Sequence, residues 1–162
     1  MIFKLCNNGL SVVGIREDNA TVSYSIEAEE YKQWLSEGNI PEPEFTAEEL
    51  LANAKEAKRN EIRQAFNTES EAPVLVGTVS YHGGFDSASK LDGAKRMVET
   101  AGGLEVTFYD VDNIPYVLTL AEATTVILTI GADYQTKFAT KQAKMVQVDN
   151  AITIVEVENV SA

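Results

Sequence analysis

The chain has 162 residues, of which 44% are hydrophobic and 23% are charged, and this is the composition of a folded globular protein. It carries 25 acidic and 13 basic residues, for a net charge of −12. Because affinity for nucleic acid rests on Lys and Arg that neutralise phosphates, we expect no nucleic-acid partner. The single Cys6 excludes an intrachain disulfide, and the single His82 leaves little material for a zinc site or a His-based triad.

The N-terminal residues predict a small β-meander followed by a short helix. Asn7, Asn8 and Gly9 separate a strand at 2–6 from one at 10–15, and Asn8 with Gly9 is the Asn-Gly pair that suits the positive φ angles of a tight hairpin. A turn at 17–19 leads to a third strand at 20–26. Residues 27–37 predict a helix that buries Tyr31, Trp34 and Leu35 and ends at Gly38. Because residues 1–38 are near the lower size limit for independent folding, we expect this attachment module to need a neighbour.

Residues 39–45 predict a linker, since Pro41 and Pro43 favour an extended chain and prevent a helix. We therefore expect its backbone to be exposed. Thr46 and Glu49 have the spacing of a capping box, which predicts a helix that begins there and runs to about Phe66.

The remainder of the chain alternates short strands and helices. We predict strands at 74–81, 104–109 and 115–118 and a helix at 88–101 that is capped by Asp86 or Ser87. Thr119 and Glu122 form a second capping box, which opens a long helix that ends at 149–150. The β-branched run at 152–158 predicts a final strand without a local partner. The elements together predict an α+β fold, with domains at 1–38 and 46–150 and a strand or tail at 151–162.

No motif in the chain predicts catalysis. His82 precedes two glycines, but no nucleophile elbow accompanies it. Asp110, Asp112 and Asn113 resemble the start of a calcium loop, but Pro115 stands where that loop needs glycine, so a hairpin turn is the better interpretation. We therefore expect no catalytic, cofactor-binding or metal-binding residue, and no enzyme activity. The stretch at 124–132 is too short to span a bilayer, so we expect no membrane insertion.

Two stretches carry a resemblance to known proteins. Residues 81–91 are similar to a "Y-x-G-x-x-F-x-S" motif of a domain of unknown function found in bacteriophage and prophage tail and tail-fibre proteins, with one residue fewer between Gly83 and Phe85. The same family has a "K-R-x-E-I" helix, matched at 58–62, and an aromatic strand, an Asp-Asn turn and an "L-T-x-x-E" helix start, matched at 108–122. Residues 31–43 resemble "Y-x-x-W-L-x-x-G-N-x-P-x-P", which is common in small phage tail proteins.

The resemblance covers roughly residues 55–150. It implies where the protein works, and it implies no catalytic reaction. It implies a structural component of a bacteriophage or prophage-derived tail, located in the virion at the baseplate or tail-fibre attachment after synthesis in the bacterial cytoplasm. One alternative is a tail-fibre assembly chaperone that is absent from the mature virion. Another is a carbohydrate-binding module that recognises the host surface, with Trp34, Tyr81 and Tyr116 as stacking aromatics. The family carries no established catalytic residue.

The partners we expect are other tail, baseplate or tail-fibre proteins, with the chain in a homo-oligomer or a hetero-complex. An unpaired strand at 152–157 would leave an edge open to pairing with another chain. The small N-terminal module would be completed by a neighbour in the same way. The candidate partner-binding residues are Tyr31, Trp34, Ile152, Ile154, Val155 and Val157.

Overall fold

The computed structural model describes residues 1–17 and 19–162 and has an α+β fold, as predicted. Contacts divide the chain into two compact units, Met1–Asn53 and Ala54–Ala162, and the boundary falls within one helix. In chain order the elements are β1 (Ile2–Cys6), β2 (Ser11–Ile15), β3 (Thr21–Ser25), α1 (Glu29–Ser36), α2 (Ala47–Ser70), β4 (Val74–Val76), β5 (Val79–Tyr81), α3 (Phe85–Thr100), β6 (Glu105–Tyr109), β7 (Pro115–Thr119), α4 (Leu120–Asn150) and α5 (Ile154–Glu158).

The first unit is built on an antiparallel sheet in the order β1-β2-β3. The predicted first hairpin is confirmed, because Asn7, Asn8 and Gly9 all have positive φ and Cys6 pairs with Ser11. The predicted second turn includes Asp18, which lies outside the described residues. The sheet therefore follows the meander that the turn residues indicate.

The core of the first unit is aromatic. Phe3 and Tyr31 are buried, and Phe3 lies 5.2 Å between ring centroids from both Tyr31 and Trp34, in edge-to-face contact. Gly38 has φ +86, as its predicted position after the helix requires. Leu35 was expected in this core, but it is 38% exposed because α1 ends one residue later and leaves it at the rim.

The proline segment at 39–45 is not a free connector. Glu42 forms a parallel bridge with Lys4, donating from its N–H to the Phe3 carbonyl and accepting from the Leu5 N–H, each at 2.9 Å. The Glu44 carboxylate accepts hydrogen bonds from the backbone of Asn7 and Asn8. Most residues of the segment are exposed, but the expectation of few contacts is wrong, because Glu42 pairs with the outer edge of β1.

The start of α2 follows the prediction. Glu49 N–H donates to the Thr46 hydroxyl at 3.1 Å, and Thr46 N–H donates to the Glu49 carboxylate at 2.8 Å. These two bonds form the capping box and satisfy donors that the first turn would otherwise leave unpaired. The helix continues past Phe66 to Ser70.

Two predicted boundaries in the second unit are wrong because glycines act as turn residues. Residues 74–81 form a hairpin rather than one strand, since Gly77 has φ +65 and lets β4 fold back on β5. The helix α3 is preceded by Gly84 at φ +90 and has no side-chain cap, so it begins at Phe85, ahead of Asp86 and Ser87. Gly83 is required by close approach, because a methyl group there would overlap the Ala72 carbonyl oxygen.

The predicted hairpin between β6 and β7 is confirmed, with Tyr109 opposite Pro115. The carboxylate of Asp110 accepts from the N–H of Asp112 at 2.9 Å and of Ile114 at 2.8 Å, and Asn113 has φ +60. Val111 N–H donates to the Ser80 carbonyl, which ties this turn to β5. Asp110 is thus an Asx-type turn residue.

The long helix α4 organises the second unit. Its capping box at Thr119 and Glu122 is present, and the helix ends at Asn150, as predicted. The helix α3 and the two hairpins pack against its N-terminal half around a core with Phe108, Ala123 and Ile130. The helix α2 runs antiparallel to its C-terminal half, since Phe66 contacts Phe138 and Arg59 pairs with Asp149 at 2.6 Å.

The predicted C-terminal strand is wrong: the segment forms the short helix α5. The Thr153 hydroxyl accepts from Glu156 N–H at 3.2 Å, and the Glu156 carboxylate accepts from Ile152 N–H at 2.7 Å. This start fixes one turn of helix in which Val157 is 1% exposed, and Val160, just beyond the helix, packs with Ile62 and Val148 in a second small core. The cap and the burial of Val157 outweigh the β-branched composition of the segment.

Candidate interaction surface

The predicted partner-binding residues of the first unit are core residues. Tyr31 is 6% exposed and its ring stacks beside Trp34, with centroids 6.2 Å apart. Trp34 is half-buried against Phe3. Their positions are explained by packing, and Tyr31 offers almost no surface to a second molecule.

The C-terminal candidates divide between the two sides of α5. Val157 is 1% exposed, so it is not available to a partner. Ile152, Ile154 and Val155 face solvent. Because the segment is helical, the open strand edge that motivated these candidates does not exist. Whether the three exposed side chains bind a partner stays a prediction.

Tyr81 and Tyr116, which were proposed for sugar stacking, pack against each other within the second unit. Tyr81 is 2% exposed, and its burial raises the pKa of its hydroxyl above the ordinary value. Tyr116 is half-buried beside it, with ring centroids 6.4 Å apart in an edge-to-face arrangement. A buried ring has no free face on which a ligand could stack.

An open apolar groove lies between α3 and α4. Its volume is about 430 Å³, and Phe85 and Leu128, which are 59% and 66% exposed, stand at its rim. Gly131 and Ala132 leave space in the groove, since neither carries more than a methyl group. The other lining residues are Ala88, Ser89, Asp92, Ile127, Tyr134 and Gln135. We refer to this feature as the α3–α4 groove.

A row of aromatic rings continues from the groove toward α2. Tyr134 lies 5.7 Å from both Phe85 and Phe66, and it stacks on Phe138 at 6.2 Å. The Lys141 ammonium sits 4.7 Å from the centroid of the Phe66 ring. Because the rings support one another, Phe85 is held at the rim of the groove by packing from within the unit.

The exposed side of α4 carries no charge over most of its length, and three of its residues, Leu128, Ala132 and Gln135, also line the α3–α4 groove. Every exposed residue between Ala123 and Val148 is uncharged, and we call this set the α4 outer face. The charged residues of the same stretch are all half-buried. The outer face consists of Thr125, Leu128, Ala132, Gln135, Thr136, Ala139, Thr140, Gln142, Ala143, Val146 and Gln147.

The charged side chains of this stretch pair with, or pack on, neighbouring residues. Lys137 pairs with Asp133 at 2.6 Å, Lys144 donates to the Ala162 carbonyl at 2.8 Å, and Lys141 lies over aromatic rings. An exposed helix normally places its charged residues toward water. Here they lie against the molecule, and the uncharged residues face outward.

The hydroxyl groups of the outer face are already hydrogen-bonded within α4. Thr125 donates to the Ala121 carbonyl at 3.1 Å, and Thr136 and Thr140 donate to the carbonyls of Ala132 and Thr136 at 2.9 and 3.0 Å. Each of these hydroxyl groups therefore already has an acceptor within its own helix. Covering this face leaves these donors satisfied, which lowers the desolvation cost of an interface.

In the part of the chain that the structure describes, no three His, Cys, Asp or Glu side chains gather as a metal site would require. Asp110 is occupied by its turn, and the expectation that the chain uses no metal or cofactor stays a prediction. Among the described helices, none combines the length and apolar composition that crossing a bilayer requires.

Fold and surface together define an α+β protein whose second unit presents an apolar groove and a long uncharged helix face. The chain belongs to the family described as domain of unknown function DUF4376, whose model matches residues 53–162. That match begins one residue before the second compact unit and includes α5. No curated protein and no solved structure matches the chain.

Neither the groove nor the outer face was among the predicted site residues. One signal was present in the sequence: charged residues are absent from one side of the predicted long helix. That signal becomes informative only when it is known which side of α4 packs against α2 and α3.

Proposed function

We propose that the chain is a structural component of a bacteriophage or prophage-derived tail, at the baseplate or tail-fibre attachment, that acts through protein–protein contacts. The tail context is supported by the motifs at 31–43 and 58–122 that resemble tail proteins. One observation supports the contact role: at the α3–α4 groove, Phe85 and Leu128 expose large apolar surfaces to solvent. Contiguous exposed apolar surface of this kind marks interaction sites in soluble proteins.

The groove suits an apolar side chain of another protein. Its walls are two helices of one packed unit, so it needs little reordering before it binds. Complete burial of a side chain such as Phe85 or Leu128 contributes about 1.5–3 kcal/mol relative to full exposure. Since both are already partly buried, a partner gains a fraction of that amount at each. In this proposal the chain has no catalytic role and contacts no nucleic acid.

The location is tested by quantitative mass spectrometry of purified particles from the phage or prophage that encodes the chain. The proposal predicts the chain in the particles at a fixed ratio to the tail proteins. The chaperone alternative predicts a complex with a tail-fibre protein in infected cells and no chain in finished particles. Absence from both would contradict either tail role.

The groove is tested with Phe85→Ser and, as a control, Met97→Ser. Both residues are large exposed apolar residues of α3, but Met97 is 76% exposed and does not line the groove. In complementation of a deletion, Phe85→Ser is expected to lower incorporation into particles about tenfold, which corresponds to about 1.4 kcal/mol. Met97→Ser is expected to leave incorporation unchanged. Equal effects of the two variants would refute the role of the groove.

A further inference from the structure

We propose that the α4 outer face binds the same face of a second copy of the chain. This inference rests on the proposed function only in treating the chain as one that works through protein contacts. It concerns the protein in solution and does not depend on a tail location. The open strand edge that first suggested an oligomer is absent, so the inference is argued from a different surface.

The outer face has the periodicity of a helix seam. Seven of its eleven residues fall into two rows, each with a spacing of seven residues, so that the steps from one row to the other alternate between three and four. In a coiled coil, residues that repeat every 3.5 positions stay in contact with a partner helix that has the same repeat. One row is Leu128, Gln135 and Gln142, and the other is Thr125, Ala132, Ala139 and Val146.

Charge favours a second copy as the occupant. The chain carries −12, so two copies repel one another wherever acidic surfaces meet. From Thr125 to Gln147 the outer face contributes nothing to that repulsion. A basic partner would instead be drawn to acidic surface, which this face does not offer. Two outer faces are also matched in length and repeat, as an isologous interface requires.

Small side chains allow close approach along this seam. Ala132, Ala139 and Ala143 place only methyl groups at the surface, next to the satisfied hydroxyls of Thr136 and Thr140. Gln135 and Gln142 carry amides that both donate and accept, so a glutamine of one copy can bond to a glutamine of the other.

The area of such a pair is modest. The stretch from Thr125 to Gln147 is about 35 Å long at about 1.5 Å per residue. With flanking side chains it is about 15 Å wide, so a pair buries about 1,000 Å² in total, near the lower end for specific interfaces. The geometry therefore points to a reversible association that depends on concentration.

The test is sedimentation equilibrium of the full chain over a concentration series that extends toward the millimolar range. Wild type is expected to shift from monomer to a self-associated species, and Ala139→Glu to weaken that association by about tenfold or more. Ala94→Glu is the matched control, since Ala94 is an exposed helical alanine of α3 that does not line the groove. A wild type that stays monomeric throughout, or equal effects of the two variants, would overturn the inference.

A second measurement covers the case in which Ala139→Glu fails to fold. In a Cys6→Ser background, single cysteines are introduced at Gln135 and, as the control, at Ala94. Oxidation is expected to link two copies through position 135 and not through position 94. Links at 94 alone, or at neither position, would contradict the proposed face. Self-association without incorporation into particles would defeat the tail proposal and leave this inference intact.

Discussion

The claim that α5 belongs to the folded body of the second unit is tested by Val157→Ala. Val157 is 1% exposed, and the change removes two methyl groups, worth about 1.6 kcal/mol at about 0.8 kcal/mol each. The cavity left at this buried position increases the cost, while the better helix propensity of alanine offsets about 0.5 kcal/mol. We expect the free energy of unfolding to fall by about 1.5–2 kcal/mol.

The matched control is Val155→Ala, since Val155 lies in the same short helix and is 64% exposed. Its effect is expected to stay below about 0.5 kcal/mol. The assay is urea denaturation followed by far-UV circular dichroism, which reports mainly on the helices. Equal midpoints for the two variants would mean that Val157 does not pack as described and would refute the assignment of α5 to the core.

Three further predictions concern backbone geometry and helix capping. Gly83→Ala is expected to lower the melting temperature markedly, because its methyl group overlaps the Ala72 carbonyl, whereas Gly93→Ala has open space and is expected to raise it. Thr119→Ala is expected to cost about 1 kcal/mol in a denaturation experiment, since it removes the α4 cap. Hydrogen bonds from Thr119 hold the pKa of Glu122 below its ordinary value. The Glu122 carboxylate therefore contributes its full stabilisation above its pKa in the unfolded chain, and this contribution is lost as the pH falls through its lower pKa in the folded protein. In Glu122→Gln, stability is therefore expected to fall less between about pH 5 and pH 3 than in the wild type.

Much of the fold could be predicted because its signals are local. Thr46 with Glu49 and Thr119 with Glu122 mark two helix starts, and both capping boxes are present. The first hairpin likewise follows from residues that tolerate positive φ. Each of these features is determined within a few residues and needs no knowledge of the tertiary structure.

The predictions are wrong where a local capping or turn signal competes with a composition that favours a strand. Residues 152–158 are rich in β-branched residues, which favour a strand, yet Thr153 and Glu156 have the same spacing as the two recognised capping boxes. That spacing, together with burial of Val157, decides for helix. In the same way Gly77 divides a run of strand-forming residues into a hairpin.

The candidate surfaces could not be predicted for a different reason. Whether Phe85 and Leu128 stand in water depends on how α3 packs against α4, which is a long-range property. The outer face of α4 is defined by what does not contact it. Periodicity alone places Ala123, Ile130 and Tyr134 on one side of the helix, but it does not say whether the opposite side is covered.

The central claim, that the second unit contacts other tail proteins through the α3–α4 groove, is tested most directly by site-specific photo-crosslinking in particle-producing cells. A photoreactive residue is placed at position 85, with position 97 on the same helix as the control. The account predicts a covalent adduct with a tail, baseplate or tail-fibre protein from position 85 and none from position 97. No adduct from position 85, or the same adduct from both positions, would contradict it.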